Sequence, residues 1–242
     1  MISGFSMDEP RIKVKVSEIR CETGNVKTFK LILAEGEIVF TPGQFVMLYA
    51  KIDGEEVGRA YSIASSPLDK GSIELTIELT PDGRLTPFFH KKVEVGDEFE
   101  ISQPKGHFTY TEEMGNEIVL IAGGSGVVPF RSIMKYCTQK KLDTKITLLY
   151  SAKTVDRIIY REELNRLADE NRNITVLYTI TRQTEGWDGR AGRIDRQLLE
   201  GNFSPKKLFY ICGPIPFIRD IGATLKELGA DRQNIKRDVW GA

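Results

Sequence analysis

Cysteine is scarce and unpatterned in this chain of 242 residues: Cys21, Cys137 and Cys212 stand far apart, without a C-x-x-C pair or any other ligand spacing. That argues against a zinc site or an iron-sulfur cluster, so no metal is expected. An odd count without a framework fits a reducing compartment. Histidine is rarer, and His90 and His107 both read as polar loop residues. Net charge is missing as well. Lys plus Arg equals Asp plus Glu at 34 each, so no global field draws the chain to nucleic acid or an acidic membrane, and any basic patch must be local. No apolar run approaches the roughly 20 residues of a membrane helix. The first ten residues, MISGFSMDEP, lack the basic start and apolar stretch of a signal peptide, and a cytoplasmic location is expected. Internal repeats and low-complexity tracts are absent too. What remains is a globular composition, 40% apolar and 28% charged, in a length that suits two ordinary domains.

The two halves differ in period. From Arg11 to about Phe108 the chain is short strands and turns: RIKVKVSEI, VKTFKLIL, QFVMLYA, SIELTIELT and DEFEIS, separated by TPG, DG, DKG, PDG and VGD. In SIELTIELT, Ile73, Leu75, Ile77 and Leu79 alternate with polar residues, which is the period of a half-buried strand. This half predicts an antiparallel barrel or sandwich. After about Thr111, the apolar runs EIVLIA, KITLLY, NITVLYTI and KLFYIC alternate with helical segments. Such continuous runs suit strands covered on both faces, and the order predicts parallel βαβ units. The boundary falls in TEEMGN, giving domains 1–110 and 111–242.

Four stretches carry chemistry. AGGSGVVP (122–129) lies between the first parallel strand and a helix. Gly123, Gly124, Ser125 and Gly126 would let backbone approach a pyrophosphate at a helix amino-terminus, although a plain strand-to-helix turn has the same residues. Pro129 stands where a Rossmann fingerprint has its third glycine. The second parallel strand ends in Ser151 and Lys153 instead of a ribose-binding acid. YICGPIPF (210–217) repeats the arrangement at a later strand end: Cys212 and Gly213 close the strand and Pro214 is expected at the first helical position. GRLTPFFH (83–90) offers Gly83, Leu85 and Thr86, with Thr86 expected as an N-cap aimed at an anion; an ordinary capped helix crossing a barrel end would look alike. RAYS (59–62) places Arg59, Ala60, Tyr61 and Ser62 in a strand: a fork for phosphate, a flat ring for stacking and a hydroxyl. A mixed polar surface strand is the plainer account of it. Tyr61 and Ser62 can serve one ring only if the strand twists or bulges there.

Taken in order, PGQF (42–45), RAYS, GRLT, PKGHF (104–108), GGSGVVP, Thr181-Arg182, CGP (212–214) and Trp240 resemble the ferredoxin-NADP reductase superfamily of flavoprotein reductases over nearly the whole chain. The resemblance implies a six-stranded antiparallel β-barrel holding a flavin, followed by an α/β parallel-sheet domain binding NAD(P)H. It assigns Arg59 to the flavin phosphate, Tyr61 to stacking on the ring, Ser62 to the reactive edge, and GRLT to a pyrophosphate, which favours FAD over FMN. Ser62, Cys212 and Trp240 would surround the reacting pair, Trp240 alternatively packing on the barrel. Arg182, helped by Lys153, Arg190 and Arg193, resembles the 2′-phosphate contact of NADPH-using relatives, so NADPH is expected ahead of NADH. Hydride transfer between NAD(P)H and flavin, with electrons passed to a separate ferredoxin or flavodoxin, is the implied activity. A flavin reductase that releases reduced flavin, and a non-catalytic electron-transfer subunit of a larger complex, are the competing readings.

Overall fold

The computed structural model of the chain describes residues 10–182 and 185–239. Its first sheet comprises β1 (Ile12–Thr23), β2 (Val26–Leu33), β3 (Phe45–Ile52), β4 (Glu55–Ser62), β5 (Ser72–Glu78) and β6 (Glu98–Ile101), with α1 (Leu85–Lys91) between the last two. The strand order is β4-β3-β6-β1-β2-β5, with every pairing antiparallel. The two edges meet where β4 runs on past Ser62: Ile63 bridges Leu75, and Ala64 N–H donates to the Glu74 carbonyl at 2.8 Å. A closed barrel leaves no long unpaired edge. Its core is what alternation in each strand turns inward, including Phe29, Leu31, Leu48, Ile63, Ile73 and Leu75, all fully buried. Helix α1 plugs one end with Phe89, edge-on to Phe29 at 5.2 Å between ring centres.

SIELTIELT departs from its expected half-buried pattern. In β5 the polar alternates Glu74 and Thr76 are buried along with the apolar set, because the second domain packs on the face that alternation would leave to solvent.

The second sheet is parallel throughout, with order β10-β9-β8-β7-β11-β12. It is wound from β7 (Glu117–Gly123), α2 (Val128–Gln139), β8 (Lys145–Ala152), α3 (Arg161–Glu170), β9 (Ile174–Ile180), β10 (Arg190–Ala191), α4 (Arg196–Glu200), β11 (Leu208–Gly213), α5 (Ile215–Glu227) and β12 (Ile235–Val239). Helices cover both faces of the central strands, so β7 from Ile118 onward and β11 up to Cys212 are apolar and buried. Strand β9 is covered less completely: Thr175 and Leu177 are exposed. Chain order reverses between β7 and β11, which places the switch point of the sheet at their carboxyl ends. The connection between domains is pinned to the middle of this sheet, where the Tyr210 hydroxyl donates to the Thr109 carbonyl at 2.9 Å. Among the described residues, no helix is long and apolar enough to cross a membrane.

Candidate functional site

Two loops leave the switch point side by side. After β7, residues Gly124–Val127 form a single 3-10 turn that runs directly into α2, whose first turn contains Pro129. After β11, Gly213 leads to α5, for which Pro214 is the N-cap and not the first helical residue; Pro216 sits inside the first turn instead. The loops touch through their backbones. A β-carbon on Gly126 would lie 2.2 Å from the Cys212 carbonyl oxygen, and one on Gly213 would lie 3.2 Å from the Gly123 α-carbon. Gly124 takes φ +57°, a left-handed conformation that suits glycine. Gly123, Gly124, Ser125, Gly126, Cys212, Gly213 and Pro214 are therefore one surface, with glycine required where the two backbones meet. The Cys212 side chain is buried, its Sγ 3.9 Å from Asp238 Oδ2 on the neighbouring strand.

On the barrel, β4 pairs with β3 without interruption from Ile52↔Glu55 to Phe45↔Ser62. The bulge that would bring Tyr61 and Ser62 to one face is absent from this register. Strand β4 changes partner one residue later, at Ile63, where it leaves β3 for β5. Arg59 is exposed, and its guanidinium donates to the Gly58 carbonyl at 2.7 Å with no carboxylate beside it among the described residues. Tyr61 is half-buried against the barrel core. Burial pushes its phenol pKa up against the opposing pull of Arg59, so the hydroxyl keeps its proton. Ser62 is buried and Ala60 half-buried.

Helix α1 corrects the expected cap. It begins at Leu85 with Arg84 at the N-cap, and Thr86 lies inside the first turn. The Thr86 hydroxyl folds back to the preceding loop, accepting from Thr80 N–H at 3.0 Å and donating to the Thr80 carbonyl at 3.1 Å. Leu85 is a core residue; Gly83 fits because a β-carbon there would crowd Thr80 and Thr86. Arg84 ties the helix to the start of β4 through Glu55, at 2.6 Å.

At the ends of β8 and β9, Arg182 N–H donates to the Lys153 carbonyl at 2.8 Å, and both side chains are exposed without an acidic partner among the described residues. Arg190 is engaged: its Nη2 meets Asp195 at 2.6 Å, while its Nε is buried without a partner among those residues. Trp240 lies outside the described residues.

The structure also brings forward residues that the sequence did not single out. Helix α2 is joined to the segment directly following RAYS: Arg131 donates to the Ala64 carbonyl at 2.9 Å, and Ser132 to the Ser65 carbonyl at 2.6 Å. A buried arginine in VPFRSIMKYC was the available signal, since an arginine on an apolar helix face must find carboxylates or carbonyls.

These residues can be tested against a flavin and a dinucleotide. An arginine without a carboxylate partner among the described residues, a half-buried tyrosine and two glycine loops whose backbones meet at Gly126 and Gly213 fit an anionic, aromatic ligand bridging two domains. Comparison with known proteins agrees. Residues 13–110 match the oxidoreductase FAD-binding domain family, and residues 120–222 match the oxidoreductase NAD-binding domain family. The chain is 29% identical over 240 residues to the glycine betaine monooxygenase reductase subunit of Chromohalobacter salexigens, covering 96% of this chain and 65% of that protein. It therefore spans less than two thirds of that relative's length. It is 28% identical to NADH-cytochrome b5 reductase 1 of Mortierella alpina over 90% of this chain and 75% of the other. The cytochrome b5 reductase domain of Ulva prolifera nitrate reductase superposes with a TM-score of 0.84 at 25% identity, over 95% of this chain and 97% of that one.

Proposed function

The chain belongs to the ferredoxin-NADP reductase superfamily, and we propose that its flavin domain (1–110) and nucleotide domain (111–242) work as one NAD(P)H-dependent reductase that passes electrons to a separate protein such as a ferredoxin or flavodoxin. The observation that carries this reading is the convergence of three stretches. The GGSG and CGP loops share one backbone surface, and the helix launched by the first is hydrogen-bonded to the residues that follow RAYS.

Bound FAD would supply a two-electron acceptor that can release electrons one at a time. Arg59 would then neutralise a phosphate and Tyr61 would offer a ring face, with Ser62 and Cys212, at the ends of their strands, as the residues that would flank the reacting rings. Gly83, Leu85 and Thr86 present the first turn of α1, where Leu85 and Thr86 contribute backbone N–H groups while the Thr86 hydroxyl holds Thr80. The glycine loops would receive the nucleotide's pyrophosphate at the start of α2. Lys153 and Arg182 are offered to a 2′-phosphate, and NADPH is the expected coenzyme. The NADH-named relative makes NADH the comparison that tests it. In the relatives, a monooxygenase and a cytochrome are named beside the reductase, so both acceptor types belong in the assay.

Gel filtration after reconstitution with FAD, followed by steady-state oxidation of NADPH and NADH with ferredoxin, flavodoxin, cytochrome b5 and free flavin, decides the matter. Retained FAD with turnover through a protein acceptor supports the proposal. Loss of FAD on the column with free flavin reduced supports the flavin-reductase reading, and retained FAD that neither coenzyme reduces supports a non-catalytic subunit.

A further inference from the structure

Strand β4 carries the proposed flavin contacts and runs on into residues 63–70, while α2 follows the glycine loop; these two stretches are fastened together along one face of the helix. Arg131 Nη1 donates to the Ala64 carbonyl at 2.9 Å, Ser132 Oγ to the Ser65 carbonyl at 2.6 Å, Lys135 Nζ pairs with Asp69 Oδ2 at 3.0 Å, and Gln139 Nε2 donates to Asp69 Oδ1 at 2.8 Å. Arg131 is the centre of this seam and is almost fully buried. Besides Ala64 it meets Glu74 of β5 at 2.5 Å and Glu163 of α3 at 2.8 Å, and its guanidinium lies over the Tyr160 ring at 4.8 Å. Glu74 is shared with Arg20 of β1. Tyr160 holds φ +60°, a strained value for a bulky residue, and its hydroxyl is bonded to Thr76 on the barrel, which is bonded in turn to Thr28.

Buried ion pairs add little net stability compared with apolar contacts, because desolvation offsets most of their attraction. Their distinguishing property is directional: an array of charge-assisted hydrogen bonds is satisfied in one relative placement, whereas apolar surfaces tolerate sliding. Each domain has an apolar core of its own, and Val26 and Ala64 of the barrel side also pack into the second domain's other cluster, so apolar contact already holds the two together. The seam therefore contributes the placement of one domain on the other.

We propose that the junction of α2 with residues 63–70 fixes the nucleotide loops relative to β4, and that Arg131 is the positioning residue for the transfer between the two cofactors. This rests on the reductase reading given above. The cofactor-binding groups lie on separate domains, so loosening the seam leaves each binding event in place and impairs the step that needs both at once. A displacement of about 1 Å between reacting partners can cost on the order of 100-fold in rate.

The test compares the full chain with Arg131→Lys, Ser132→Ala and the double variant Arg131→Met/Glu74→Gln, the last removing a buried charge together with one carboxylate partner. Three quantities are read: bound FAD per chain and NADP⁺ affinity; the rate of flavin bleaching at saturating coenzyme; and deuterium exchange of residues 63–70 and 128–139 in the ligand-free protein. The expected result for the double variant is unchanged FAD and NADP⁺ binding, bleaching slowed on the order of 100-fold, and faster exchange in both segments. Arg131→Lys, which keeps the charge, should recover part of the rate. Unchanged exchange, an unchanged rate, or a rate that falls only in step with a fall in bound FAD overturns the proposal. Should the double variant fail to fold, Ser132→Ala carries the same three predictions in smaller measure. A wild-type protein that holds FAD yet is bleached by neither coenzyme overturns the reductase reading instead, and the exchange arm still reports on the junction.

Discussion

Replacing Gly126 by alanine adds one methyl group at the point where the two strand-end loops touch. The new β-carbon would stand 2.2 Å from the Cys212 carbonyl oxygen and 2.4 Å from its carbon, well short of the 3.4 Å at which ordinary contact begins. Neither atom belongs to a flexible side chain, so the loops must part. Overpacking of this kind costs about 1–3 kcal/mol, which for a protein of this size lowers the melting temperature by roughly 2–12 °C. If the parted loops are jointly the nucleotide's seat, affinity falls too, by about tenfold for each 1.4 kcal/mol by which binding is weakened. The assay pairs thermal unfolding with NADP⁺ titration. Gly36→Ala is the control: φ +72° with open space around it imposes backbone strain in the barrel, between β2 and β3, and not in either loop. Stability should fall in both variants and nucleotide affinity in Gly126→Ala alone. Gly126→Ala binding NADP⁺ as tightly as the parent, at a lowered melting temperature, would refute the argument that these loops form one site.

Three further outcomes are expected. Arg59→Ala should weaken FAD binding by about 10- to 100-fold, the worth of a charge-assisted hydrogen bond of about 1.5–3 kcal/mol, measured by flavin fluorescence on reconstitution. Arg182→Ala should raise the KM for NADPH far more than that for NADH, and an equal loss for both would remove Arg182 from the 2′-phosphate. The third concerns Glu22, whose carboxyl is raised above its ordinary value of 4.5 by burial, against the pull of Thr28 and Arg20. A carboxyl whose folded pKa is raised binds its proton more tightly in the folded state, so its ionised form costs stability at neutral pH and that cost disappears as pH falls toward 4.5. Glu22→Gln should therefore raise the melting temperature at pH 7, by roughly 2–4 °C per kcal/mol relieved, with the gain vanishing in acid. Glu74 runs the other way: burial raises its pKa, but Arg131 and Arg20 outweigh it and hold the carboxyl below 4.5. Its contribution is present above pH 4.5 and lost as pH falls through the lowered value.

Much of the architecture was legible because burial imposes a period. The alternation of Ile73, Leu75 and Ile77 marked β5, and the unbroken apolar runs EIVLIA and KLFYIC marked the central parallel strands. Strand β12, IKRDV, gave no such signal. It is an edge strand held by backbone pairing to β11, and its charged side chains leave no apolar run to read. The glycine loops were legible for a similar reason: only glycine permits the Gly126–Cys212 approach. Contacts between domains were not. Glu74 and Thr76 looked like the wet face of a strand, and nothing local in SIELTIELT tells that Arg131 and Tyr160 will cover them. The cap of α1 was misplaced by two residues, because Thr86 satisfies its hydroxyl on Thr80, six positions back, in place of the helix end.

The measurement closest to the central claim is anaerobic mixing of the FAD-reconstituted chain with NADPH and, separately, NADH, followed by the visible flavin absorbance. Rapid bleaching by at least one coenzyme, with colour restored on adding an oxidised acceptor protein, is the predicted result. A stable yellow protein that binds coenzyme without bleaching would contradict it.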